Sequence, residues 1–131
     1  MKIPYTLRFS GEQHKEKTIA SGNLPEWCSF PLEFTQRNIL YQSGNFGILR
    51  QLFNYKPFFI DLVEVNSENP LDFMFEIQNK QVFLFFMLVG DMEFYDSSDR
   101  VIARTLENSF LMSYYGSGLY HVKVDKGTHI A

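Results

Sequence analysis

The stretch that most constrains the fold is residues 82–95, VFLFFMLVGDMEFY. Its first nine residues, Val82 to Gly90, carry no charge and no proline, and from Asp91 polar and apolar residues alternate. A short run so rich in Phe and Val reads as a strand buried on both faces, with Gly90-Asp91 bending it into a second strand. The expectation is a central hairpin that the rest of the chain covers.

The flanking sequence repeats the strand signal at short intervals. Phe46 to Phe53 has a period of two, Phe58 to Val65 forms a second alternating piece, and NSENP at Asn66 to Pro70 is a turn. Leu71, Phe73, Phe75 and Ile77 then alternate strictly with Asp72, Met74, Glu76 and Gln78. DSSDR at Asp96 to Arg100 turns the chain into Val101 to Leu106. Further alternations follow over Phe110 to Tyr115 and Leu119 to Asp125, and a last strand begins at Thr128. No segment has the 3.6-residue apolar period of an amphipathic helix. Regularly spaced strands between turn signals predict an all-β sandwich or barrel. Residues 1–38 are weakly patterned. Tyr5 to Phe9 and Ile19 to Leu24 read as short strands, Gly11 to Lys17 as a charged loop, and Phe30 to Phe34 as an edge strand demoted by Pro31. The expected organisation is therefore a loosely packed N-terminal arm over 1–38 and a barrel over 39–131.

Composition sets limits on function. A chain of 131 residues suits one domain with a real core, and 14 Phe with 7 Tyr favour strands. A net charge of −3 supplies no basic footprint, so direct nucleic-acid contact by this segment is not expected. The single cysteine, Cys28, excludes an internal disulfide and suits a reducing cytoplasm. No apolar run is long enough to span a bilayer as a helix, and MKIPYTLRFS lacks a signal core.

Signatures of catalysis are weak. Only His14, His121 and His129 are present, with no H-x-H pair, so neither a metal nor another cofactor is expected. His121 and His129 would come together only on adjacent strands of a hairpin. Cys28 has no basic neighbour in sequence, Ser113 and Ser117 lack a G-x-S-x-G context, and Glu64, Glu76 and Glu93 read as solvated strand positions. Gly116-Ser117-Gly118 leads into a strand and not into a phosphate-binding helix.

The pattern L-x-G-x-x-x-F-Y from Leu88, followed by D-R-V, S-Y-Y-G-S-G-x-Y and K-G-x-H and preceded by F-G-I-L-R-Q at Phe46 to Gln51, resembles the N-terminal effector-sensing domain of AraC/XylS-type transcriptional regulators. The resemblance covers about residues 44–131. It implies a cupin-like double-stranded β-helix, or jelly-roll barrel, acting as a sensing and dimerisation domain, with the helix-turn-helix part in residues beyond Ala131. It also implies an N-terminal arm folding over the barrel mouth, which singles out Trp27.

A barrel interior of this kind holds a small molecule in a mostly apolar pocket with a few polar groups. Trp27, Tyr114 and Tyr120 offer aromatic faces with a donor, Arg50 a fork for a carboxylate, and His121 a further polar group. The expected partners are a sugar or an aromatic or carboxylate effector and a second copy of the chain, with no membrane. The alternatives are a free-standing cupin enzyme of sugar isomerase or epimerase type, and a pocketless oligomerisation module whose interior is filled by Phe73, Phe75, Phe83 and Phe85.

Overall fold

The computed structural model describes residues 3–9 and 14–131. Among the described residues twelve strands follow one another: β1 (Tyr5–Arg8), β2 (Lys15–Ile19), β3 (Arg37–Gln42), β4 (Phe46–Tyr55), β5 (Phe58–Ser67), β6 (Leu71–Ile77), β7 (Gln81–Met87), β8 (Met92–Tyr95), β9 (Val101–Thr105), β10 (Ser109–Tyr115), β11 (Gly118–Val124) and β12 (Gly127–Ile130). The only helical element among the described residues is one 3-10 turn, Ser21–Asn23. No helix there is long and apolar enough to cross a membrane.

The strands form two five-stranded sheets, ordered β1-β6-β11-β8-β9 and β12-β5-β4-β3-β2, and a two-stranded sheet of β7 and β10. From β5 onward the antiparallel pairing is nested. β5 pairs with β12, β6 with β11, β7 with β10 and β8 with β9, as in one long hairpin folded back on itself. The interior lies between the sheets. Ile48, Leu52 and Val65 from one side meet Phe73, Phe75, Phe94 and Val122 from the other.

Local chemistry explains the turns. Asp96 Oδ1 accepts from the Ser98 and Arg100 amides at 2.9 and 3.0 Å, which closes the DSSDR turn, while Asp99 takes a left-handed φ of 59°. At the corner between β7 and β8, Gly90 has a φ of +76°, and a side chain there would collide with the His129 ring. Only glycine combines that conformation with that closeness.

The Val82–Tyr95 stretch departs from its expected hairpin. β7 pairs with β10, whereas β8 pairs with β11 and β9, so Gly90 marks a crossing between sheets. Nor is β7 buried on both faces. Phe83, Phe85 and Met87 point to the interior, while Val82, Leu84 and Phe86 are exposed. An uncharged strand looks the same in sequence whether its second face meets core or nothing at all.

The N-terminal region is likewise not a loosely packed arm in its described part. β1 extends the first sheet by pairing with β6, and β2 pairs with β3. Lys15 to Lys17, expected within a charged loop, open a strand that ends at Ile19, because its exposed edge position tolerates charge, and the strand expected over Ile19 to Leu24 is replaced after Ile19 by the 3-10 turn Ser21–Asn23. Phe30 to Phe34 is not a strand. Residues 27–36 form an irregular strap across the outer face of β4 and β5. Gln51 Nε2 donates to the Phe30 carbonyl at 2.9 Å and its Oε1 accepts from the Leu32 amide at 2.8 Å. Glu64 accepts from both the amide and the hydroxyl of Ser29, each at 2.8 Å. The strap thus satisfies a buried amide and a buried carboxylate that would otherwise oppose folding. β3 carries no legible alternation for the same reason. Asn38, Ile39, Leu40 and Tyr41 are all buried, so both faces are covered.

Trp27 rests directly on Gly47, where an added Cβ would fall 2.6 Å from the indole Cζ2. Because Trp27 is the sole tryptophan, its emission reports on this contact. Gly47→Ala is expected to shift the emission to the red and to cost about 1–3 kcal/mol in urea denaturation, the usual range for overpacking. Unchanged emission would mean that the strap does not seat there.

Candidate functional site

Two structural features inside the sandwich bear on function, and Tyr5 belongs to both. The first is a buried polar cluster. Arg50 on β4 and Asp61 on β5 interrupt otherwise apolar inward faces, and their strands place them diagonally, with Arg50 opposite Val63 and Leu52 opposite Asp61. Their side chains are only 1% and 7% exposed. Arg50 Nε and Nη2 lie 2.9 and 2.8 Å from the same carboxylate oxygen, Asp61 Oδ2. The Tyr5 hydroxyl also donates to Oδ2, its ring lies under the guanidinium with Cζ 4.2 Å from the ring centre, and its carbonyl is 3.4 Å from Arg50 Nη1. Tyr41 approaches Nη1 at 3.5 Å. Asp61 Oδ1 has no hydrogen-bond partner among the described residues.

This arrangement holds its protons firmly. Burial, reinforced by the Asp61 carboxylate, pushes the Tyr5 phenol far above the ordinary tyrosine range. Burial opposes the charge on Arg50, but the facing Tyr5, Asp61 and Tyr41 outweigh it and hold the guanidinium protonated. The cluster therefore acts as a fixed ionic clamp tying β1 to β4 and β5, and the Arg50 fork is already occupied.

The second feature is a cavity of about 90 Å³ between the sheets, walled by Phe73, Phe75, Phe83, Phe85, Phe94 and Leu111, with Tyr5 at one side. Ser113 and Tyr115 supply further polar atoms. Tyr115 packs edge-on against Phe75, Phe83 and Tyr120, and burial raises its phenol pKa although a bond to Ser113 works the other way. The wall is aromatic because β6, β7 and β10 each turn one alternating face inward.

The five residues proposed from sequence are not brought together. Arg50 sits in the buried cluster. Tyr120 faces the interior, stacked on Phe75 at 5.2 Å with its hydroxyl donating to the Gly116 carbonyl at 2.9 Å. Trp27 begins the strap and packs on Gly47, on the opposite face of β4 from Arg50. Tyr114 is 60% exposed on the outer face of β10. His121 stands on the outer face of β11, its Nδ1 3.7 Å from Asp72 Oδ1. Tyr5 and Asp61 were missed, yet a signal existed. Arg50 among Phe46, Ile48 and Leu52, and Asp61 among Phe59, Val63 and Val65, are opposite charges on two apolar faces of consecutive strands.

The residues weighed for catalysis from the sequence are engaged as follows. His121 and His129 lie on strands of different sheets, and His129 Nε2 donates to the Asp125 carbonyl at 2.9 Å. Glu64, expected as a solvated position, is 2% exposed beneath residues 27–36 and held by Ser29, whereas Glu76 contacts Arg8 and Glu93 accepts from the Tyr95 hydroxyl. The Cys28 thiol is pushed up by burial, with Glu64 adding to it, which disfavours a reactive thiolate. Among the described residues no group of three or more His, Cys, Asp or Glu side chains is placed to hold a metal ion. A shallow groove of about 300 Å³ on the outer face of the first sheet is lined by Asp72, Glu93, Arg104 and Lys123, whose charges alternate across four paired strands. Such laddered opposite charges form an ordinary solvated sheet face.

No protein-family model, no curated protein and no solved structure matches this chain.

Removing one partner of the buried pair leaves the other charge unpaired. Asp61→Ala is expected to destabilise the fold by about 3–5 kcal/mol in urea denaturation, and the double variant Asp61→Leu with Arg50→Met by much less. Equal losses would show that the pair itself, and not the stranded charge, sets the cost. The Tyr5 phenol gives a pH signature. An unfolded tyrosine ionises near about pH 10, whereas the folded Tyr5 keeps its proton beyond that. Its contribution is complete below that pH and is lost as pH rises above it. Tyr5→Phe should flatten the alkaline fall in stability, measured by denaturant midpoints across that range.

Proposed function

We propose that this domain binds a small aromatic or branched aliphatic molecule between its sheets, as the sensing part of a regulator of the AraC/XylS type. The observation that carries the reading is the aromatic cavity beside Tyr5. Its lining is nearly all apolar, and Tyr5 is already committed to Asp61, so few groups are left to pair with the hydroxyls of a sugar. The geometry favours the aromatic effector over the sugar. At about 90 Å³ the cavity is smaller than the roughly 150 Å³ cavities that take up benzene. A ring-sized ligand would enter with outward movement of the half-buried Phe83, Phe85 and Leu111. Binding would thereby be coupled to the spacing of the sheets, and its effect on any attached domain would equal its differential affinity for the two spacings.

The nested pairing of β5 to β8 with β9 to β12 supports a jelly-roll assignment, the architecture that the sequence resemblance implies. A second reading, an oligomerisation module with a filled interior, draws support from the small size of the cavity.

Titration with benzoate, p-cresol and indole, followed by methyl NMR, separates the two. The expected outcome is saturable shifts at Val63, Val122 and Leu111, with binding weakened about tenfold or more by Leu111→Trp, as expected when a pocket contact is blocked. Interior methyls that stay unmoved at millimolar ligand would favour the filled module.

A further inference from the structure

The outer face of the β7–β10 pair is a continuous exposed apolar surface. Three cross-strand pairs, Val82 with Tyr114, Leu84 with Met112 and Phe86 with Phe110, point away from the interior. They are 64%, 60%, 55%, 69%, 53% and 70% exposed respectively. No charged residue occurs anywhere in either strand, Gln81–Met87 or Ser109–Tyr115. The first sheet shows how this fold builds an outer face meant for water, with Asp72, Lys123, Glu93 and Arg104 alternating in sign across its strands. β7 and β10 do the opposite, although an uncovered apolar pair of strands is an aggregation liability.

We propose that this face is a dimerisation surface, on which two copies of the chain pack face to face through β7 and β10. Area is the first argument. Large side chains present on the order of 150–250 Å² each, so six of them at half to two-thirds exposure leave roughly 600 Å² of contiguous apolar surface. That exceeds most patches on stable monomers and approaches the roughly 800 Å² that each partner contributes to a standard interface. Charge is the second argument. Each copy carries a net charge of −3, and a two-fold interface sets every residue against the same surface of its mate. A face without charge is compatible with that symmetry, because no acid meets its own copy. A charged partner, by contrast, would find nothing on it to read. Geometry is the third. Two sheet faces with alternating protruding side chains interdigitate at the ordinary sheet-packing distance of about 10 Å, as the inner faces of a sandwich do. The proposal goes beyond the ligand reading and stands without it, since the face lies on the other side of β7 and β10 from the cavity.

Sedimentation velocity on the whole chain over a micromolar concentration series tests it. The wild type is expected to show a dimer. Leu84→Glu with Met112→Glu, at exposed positions that leave the interior untouched, should weaken association by about a hundredfold or more, the effect of losing two central contacts. Circular dichroism and the denaturant midpoint verify folding. Should the double variant misfold, Tyr114→Lys at the end of the same face provides the reading, with an expected weakening of about tenfold or more. Phe58→Glu, at an exposed apolar position on β5, should leave the dimer intact. A monomeric wild type, a dimer unaffected by the β7–β10 variants, or dissociation by Phe58→Glu alone would each overturn the proposal. Interior methyl shifts with benzoate in the monomeric double variant would show that ligand binding survives independently, so the failure of one reading is not mistaken for failure of the other.

Discussion

The constraint on which the structure depends is that β4 is buried on both faces. Seven consecutive residues, Phe46 to Leu52, are covered, one face by the interior and the other by the strap. A strand in that position has no solvent to satisfy its polar side chains, so each needs a partner brought from elsewhere in the chain. Arg50 draws Asp61 from β5 and Tyr5 from β1; Gln51 draws the backbone of Phe30 and Leu32. These contacts fix where the N-terminal third of the chain must lie. Gly47 then becomes a requirement of packing, because the indole of Trp27 occupies the place where its side chain would be.

The buried pair is better understood as a device for specificity than as a source of net stability. The Tyr5 hydroxyl and Arg50 Nε both donate to Asp61 Oδ2, with Arg50 Nη2 in ionic contact with the same oxygen, while Oδ1 has no partner among the described residues. A carboxylate used on one side only recovers less of its desolvation cost than a fully engaged one. What it does secure is register. A slip of β4 against β5 by one residue would turn either Arg50 or Asp61 to the opposite face and leave the other charge alone in an apolar interior.

The sequence was legible wherever one face of a strand meets the core and the other meets water. β6 is the clearest case, since LDFMFEI alternates in composition and in burial alike. It was illegible where that contrast disappears. β3 hides because RNILYQ is covered on both sides, and the strap hides because its role is to offer backbone groups to Gln51 and side-chain groups to Glu64, which leaves no period at all. β7 misled in the reverse direction, its exposed face being as apolar as its buried one. The candidate site suffered for a related reason. Aromatic residues with a donor were selected by type, yet Trp27, Tyr114 and Tyr120 fall on three different surfaces, and the informative pattern was an isolated charge on each of two apolar faces.

The two faces of β7 and β10 also bear on how a ligand inside could be felt outside. Their inner side chains, Phe83, Phe85, Leu111 and Tyr115, wall the cavity, and their outer ones form the apolar surface. Between the layers there is only the thickness of one two-stranded sheet. Among the described residues, the backbone hydrogen bonds that join it to the second five-stranded sheet are those of the bridge between Val89 and Ile130 and the neighbouring bond from the Leu88 amide to the Ile130 carbonyl at 2.8 Å. A ligand that displaced its inner residues would move this strand pair. Any such shift must appear at the outer face, because the same backbone carries both sets of side chains and a strand has no freedom to move one face without the other.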